Sequence, residues 1–162
     1  MPVTEEEVHA LSSEYPGIRV LARETRQGAL LMARWRALFA TESPSGQPDV
    51  TAVSARVRGI VGGGSRIRQD YQLVMEVATL HRRLPEVWIT APDDGEIRHV
   101  NIWRPDTDAA WCPALGMRLP HLCWFTYTEA WADARYSHRT LGAALEYVKQ
   151  LLNTENHDSP AR

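Results

Sequence analysis

Few side chains in this chain are suited to covalent chemistry. There are two cysteines, Cys112 and Cys123, and a thiol is the most nucleophilic of the groups that form covalent intermediates at neutral pH. The string His99-Val100-Asn101-Ile102-Trp103 begins thirteen positions before Cys112. An asparagine amide can donate to the oxyanion that develops on an acyl group. A histidine can act as a base or simply brace a loop. Cys123 lies 24 positions after His99, between Leu122 and Trp124-Phe125. Those neighbours read as core, where burial raises a thiol's pKa and makes it inert. Cys112 is therefore the expected nucleophile, accessible and beside Asn101. Cys123 is the alternative, expected to be buried. The plainer reading makes Cys112 a small buried hydrophobe and His99 and Asn101 a loop-bracing pair. Cys112, His121 and Cys123 lack the Cys-x-x-Cys or His-x₃-His spacing of a zinc site, so neither metal nor cofactor is expected. The run Gly62-Gly63-Gly64-Ser65 lacks the Gly-Lys-Ser/Thr ending of a phosphate loop and reads as a hairpin turn.

The elements that must position these groups follow from periodicity. Thr4 to Ser13 reads as a short helix capped by Thr4, with Val8 and Leu11 on one face, and Tyr15-Pro16-Gly17 ends it. Ile18 to Glu24 reads as a strand. Ala29 to Ala40 is apolar at every odd position, which favours a half-buried strand over a helix. Glu42 to Asp49 is a Pro/Ser/Gly loop. Ala52 to Val61 and Asp70 to Thr79 alternate cleanly, and Glu86 to Thr90 is a third short run. Short connections between successive strands imply an antiparallel meander. Residues 92–136 show no sustained period and form an irregular segment. Ser137 to Leu152 is an amphipathic helix with Leu141, Leu145, Val148 and Leu152 on one stripe, capped by Ser137 or Thr140. The fold class is α+β, a meander packed on the late helix.

Length and composition agree with this reading. The chain has 162 residues, a formal charge of −2 and 44% hydrophobic residues, fitting one globular domain over 1–162. The charge balance argues against nucleic acid as a partner. No apolar run is long enough for a membrane span, and the acidic N-terminus is unlike a signal peptide. A cytoplasmic protein is expected, in keeping with so few cysteines. Arg34, Arg36, Arg56 and Arg58 share the outer face of the sheet, as a solvated face or as a docking face for an acidic partner.

In element order and motif placement the chain resembles the ubiquitin-conjugating enzyme family, in a bacterial form. That family has an N-terminal helix, a four-stranded meander, a His-Pro-Asn motif before its cysteine and a crossover helix. Here His99-Val100-Asn101 stands in the motif's place directly after the last strand, with Val100 where the family has proline. Thr140-Leu141, Leu145, Val148, Leu151-Leu152, Asn156, Asp158 and Pro160 follow the family's crossover helix and its Asn-x-Asp-x-Pro exit. Asp70-Tyr71-Gln72-Leu73 through Leu84-Pro85-Glu86-Val87 resembles its third and fourth strands. The resemblance covers roughly residues 51–160. The gap from His99 to Cys112 is a few residues longer than is usual, whereas the spacing of Cys123 to Trp131 resembles the family's cysteine-to-tryptophan spacing. The resemblance implies a transferase that carries a ubiquitin-like modifier as a thioester on Cys112 and passes it to an amine, usually a lysine. Asn101 would stabilise the oxyanion or hold the active-site loop, His99 would be structural, and Asp158 would position or deprotonate the amine. Partners would be the modifier, an activating enzyme and a protein substrate. A bacterial defence role against phage follows by family analogy only. Inactive relatives that merely hold a modifier or partner are the alternative.

Overall fold

A computed structural model describes residues 2–24, 49–124, 127–159 and 161. The strand expected at Ala29–Ala40, with Arg34 and Arg36, and the loop at Glu42–Asp49 up to residue 48 lie outside the described residues. Helix α1 (Glu5–Ala10) is capped by the Thr4 hydroxyl, which accepts the Glu7 N–H, and it buries Val8. Strand β1 (Arg19–Arg23) follows, then β2 (Val50–Gly62), β3 (Ser65–Glu76) and β4 (Val87–Ala91). After them come four two-residue strands, β5 (Ile102–Trp103), β6 (Trp111–Cys112), β7 (Met117–Arg118) and β8 (His121–Leu122). Two helices close the chain, α2 (Thr128–Asp133) and α3 (Leu141–Asn153).

The main sheet has six strands in the order β1-β2-β3-β4-β8-β5, and β6 and β7 pair separately. Every pairing in both is antiparallel. The expected α+β class and the meander are therefore present. The boundary of β3 differs from the expected one. It starts at Ser65, because Gly63 and Gly64 both take positive φ (64° and 83°) and close a two-residue hairpin that pairs Gly62 with Ser65. Such a turn enforces pairing from its first residue, whatever the hydrophobicity of the flanks. Ser65–Gln69, polar apart from Ile67, thus join the ladder without any alternation to announce them.

Val53, Ala55 and Val57 of β2, Tyr71, Leu73 and Met75 of β3, and Val87 and Ile89 of β4 turn to one face and are buried. Helix α3 covers that face with Leu141, Leu145, Val148 and Leu152, each fully buried. It begins at Leu141, not Ser137, because the Thr140 side chain takes the Ala143 N–H, whereas Tyr136–His138 form a separate 3-10 turn. At its other end α3 lies against β2 so closely that a Cβ on Gly59 would stand 2.5 Å from the Leu152 carbonyl oxygen. This approach fixes where the helix delivers its last carbonyls. On the opposite face Arg56 and Arg58 are exposed, and Arg58 pairs with Asp70 at 2.9 Å.

Leu145→Ala removes a fully buried side chain from the helix–sheet layer. It is expected to cost about 2–5 kcal/mol, read as a lowered midpoint in denaturant unfolding with an unchanged slope.

Candidate functional site

The site grows out of the β5–β8 pairing. Ile102 opposes Leu122 and Trp103 opposes His121. The register continues one step, since the Cys123 N–H donates to the Asn101 carbonyl at 2.8 Å. Asn101 and Cys123 are therefore direct cross-strand neighbours. Leu122 and Trp124 are buried in the core, and period 2 turns Cys123 between them toward the other face. Cys123 is partly exposed, whereas Cys112 is fully buried.

This reverses the sequence expectation for the two thiols. Cys112 is neither accessible nor beside Asn101. Residues 104–120 fold back as the β6–β7 hairpin on the outer face of the sheet, and Cys112 packs there with Val74 and Trp88. Burial pushes its thiol pKa upward, against hydrogen bonds from the Leu115 and Ala114 backbone. Such a thiol is a poor nucleophile. Cys123 was expected to be buried because its neighbours are apolar, but only the alternate neighbours enter the core.

Asn101 is 1% exposed, and its side chain is fully engaged. Nδ2 donates to the Leu151 carbonyl and to the Thr154 carbonyl, each at 2.9 Å, while Oδ1 accepts the Asn156 N–H at 3.3 Å. The last carbonyls of a helix have no partner within it, and here the Asn101 amide supplies one. Both amide hydrogens are already used, so Asn101 has none to offer an oxyanion in this arrangement. Of its two expected roles, the geometry retains the holding one.

His99 completes the junction. Its Nδ1 accepts the Asn101 N–H at 3.3 Å and its Nε2 lies 3.2 Å from the Leu152 carbonyl. Accepting at Nδ1 and donating at Nε2 defines a neutral imidazole. Burial lowers its pKa, partly offset by the Leu152 carbonyl bond and by Glu155. With both nitrogens occupied it braces the junction and is not free to act as a base. Beyond α3, Glu155 spans the backbone N–H groups of Gly63 and Gly64, and the Asp158 N–H donates to Asn156 Oδ1 at 3.1 Å. Asp158 is exposed and reaches the Cys123 ladder through Asn156 and Asn101.

Sequence reasoning left one neighbour unused. Val74, Trp88, His121 and Trp103 form a single row across β3, β4, β8 and β5, on the face opposite the main core. The His121 ring stacks on Trp103 with 6.2 Å between centroids and 14° between planes. Its signal was its place two residues before Cys123 in an alternating strand. Among the described residues no cluster of three or more His, Cys, Asp or Glu side chains is arranged to hold a metal, and no helix is long and apolar enough to cross a membrane. No protein-family model, curated protein or solved structure matches the chain.

Thiol labelling of the folded protein should modify Cys123 well before Cys112, as read by peptide mass spectrometry. Preferential labelling of Cys112 would contradict the packing described.

The lowered pKa of His99 also sets a pH dependence. The unfolded chain takes up a proton near the ordinary histidine value of about 6.5 while the folded one resists it. The stability contributed by the neutral ring is thus full above that value and declines as pH falls below it. His81 and His121, whose pKa values burial also lowers, act in the same direction. Unfolding free energy should fall between pH 7.5 and pH 6.0, and His99→Gln should flatten that slope while lowering stability at every pH.

Proposed function

We propose that this protein is a conjugating enzyme of the ubiquitin-conjugating type, with Cys123 as the residue that carries the modifier. The observation that supports this best is the ladder step pairing Asn101 with Cys123, with the Asn101 side chain tied to the end of α3. Hydrogen bonds thereby link the Cys123 backbone, the His99-Val100-Asn101 string and the exit segment that bears Asp158, which supports the reading. The long interval between His99 and Cys123 is accounted for by the β6–β7 hairpin, which leaves the chain at Trp103 and returns at His121. The eight-residue spacing from Cys123 to Trp131 then agrees with the resemblance as well.

In this reading the Cys123 sulfur accepts the C-terminal acyl group of a ubiquitin-like modifier from an activating enzyme. An amine, usually a lysine, then attacks the thioester. Asn101 and His99 hold the ladder and helix end against each other, so that the thiol and the exit segment keep a fixed relation. Preorganisation of this kind lowers the cost of reaching the transition state. Asp158, exposed on the exit, is suited to receive the cationic amine by charge. A bacterial pathway of modification is the setting that the resemblance suggests.

With an activating enzyme, its ubiquitin-like modifier and ATP, the protein should form an adduct that a thiol reductant releases. Cys112→Ser should retain that adduct. Cys123→Ser should replace it with a reductant-resistant oxyester or abolish it. Charging that persists in Cys123→Ala and is lost in Cys112→Ala would refute the assignment, and charging of neither cysteine would favour a module that binds without chemistry.

A further inference from the structure

The row of residues on the outer face contains two side chains with a buried, unpartnered nitrogen, Trp88 through Nε1 and His121 through Nδ1, and of these only the imidazole can accept a proton. His121 is 8% exposed, and its Nδ1 is buried without a hydrogen-bond partner. Leaving such an atom unpaired is costly, so a histidine retained there calls for a role. Its ring is fixed by the stack on Trp103. Leu122 points into the core, so residues 121 and 123 project to the same face, about 7 Å apart along the strand. With the ring held, rotation of the Cys123 side chain about χ1 is what brings its sulfur toward the imidazole. Asp106, in the first turn after β5, acts on the ring by charge and is itself exposed. Nucleophile and imidazole thus share one side of β8, with the Asp106 charge acting on the ring, in keeping with the way proteins activate a thiol.

We propose that His121 is the base for Cys123, with Asp106 as the charged partner that stabilises the protonated ring. The step rests on the conjugating-enzyme reading for its acyl donor, a thioester on another protein. The Cys123 sulfur forms a bond to the carbonyl carbon as its proton passes to His121. The bond from that carbon to the donor's sulfur then breaks, and the departing thiolate takes the proton back from His121. One thioester replaces another, one thiol replaces another, and no oxidant or reductant is involved. Burial keeps His121 neutral at neutral pH, its pKa being lowered by desolvation against the opposing effects of Asp106 and Leu119. A neutral ring is the form able to accept the proton. His99 cannot substitute, because both of its nitrogens are committed to the helix junction.

The test needs neither modifier nor activating enzyme. The rate of Cys123 alkylation by iodoacetamide is measured at pH 7 on the full chain by peptide mass spectrometry. His121→Gln should slow it by about a hundredfold, the low end of general-base catalysis. Asp106→Asn, at an exposed position, should slow it by a smaller factor in the same direction. Circular dichroism of each variant establishes that it is folded. Wild-type rates in both folded variants would overturn the proposal. So would a wild-type rate in Asp106→Asn alone, should His121→Gln fail to fold. The outcome is separable from that of the conjugation reading: slowed alkylation with no charging by any activating enzyme leaves the base in place and removes only the protein thioester as its acyl donor.

Discussion

The buried amide of Asn101 is the interaction on which the rest of the site depends. One residue joins two parts of the fold that are about fifty positions apart in sequence. Its backbone carbonyl receives the Cys123 N–H, and its side chain receives or supplies hydrogen bonds at Leu151, Thr154 and Asn156. A helix that ends against a sheet leaves carbonyls that must find donors. Unpaired buried polar groups cost about 1–3 kcal/mol each, so the position tolerates little besides an amide. The close approach of α3 to β2 at Gly59 brings those carbonyls within reach. His99 then adds a second clamp on the same helix end. The partly exposed thiol of Cys123 is held by a frame whose members are almost wholly buried.

The β6–β7 hairpin lies between two strands, β5 and β8, that pair directly with each other. The hairpin folds onto the outer face of the sheet, where Leu119 and Cys112 cover Val74 and Trp88. This placement gives Trp88 a buried environment on a face that would otherwise be wet. Cys112 serves there as a small hydrophobe, the common fate of a free cysteine. The other side of the hairpin remains apolar and open, with Trp111 and Met117 about half exposed.

Much of the scaffold was legible in the sequence, because it is written in local rules. The Thr4 and Thr140 caps, the glycine turn, the alternation of β2 and the stripe of α3 each depend on residues within a few positions of one another. Even the junction is partly legible, since His99 and Asn101 stand out as two polar side chains directly before an apolar pair. Asp158 was likewise placed at the exit from the last helix. What the sequence read backwards was the pair of thiols. Leu122, Trp124 and Phe125 made Cys123 look buried, yet alternation gives successive residues opposite faces. A stretch too short for periodicity to be counted hides that distinction.

The sequence by itself determined the α+β class, the long strands β2 and β3 and the last helix, but not the four short strands and helix α2 within residues 92–136, which it left as irregular because two-residue strands are too short to show a period. Only the tertiary structure decided which cysteine is reachable and what the Asn101 amide is for. The reason is physical. Accessibility and hydrogen-bond satisfaction belong to pairs of surfaces, and here the second surface comes from elsewhere in the chain. Val74 and Trp88 bury Cys112 from across the sheet. The carbonyls of Leu151 and Thr154 claim both amide hydrogens of Asn101 from the end of a helix that begins forty residues later. Neither encounter leaves a mark in the local pattern of residues around the group it governs.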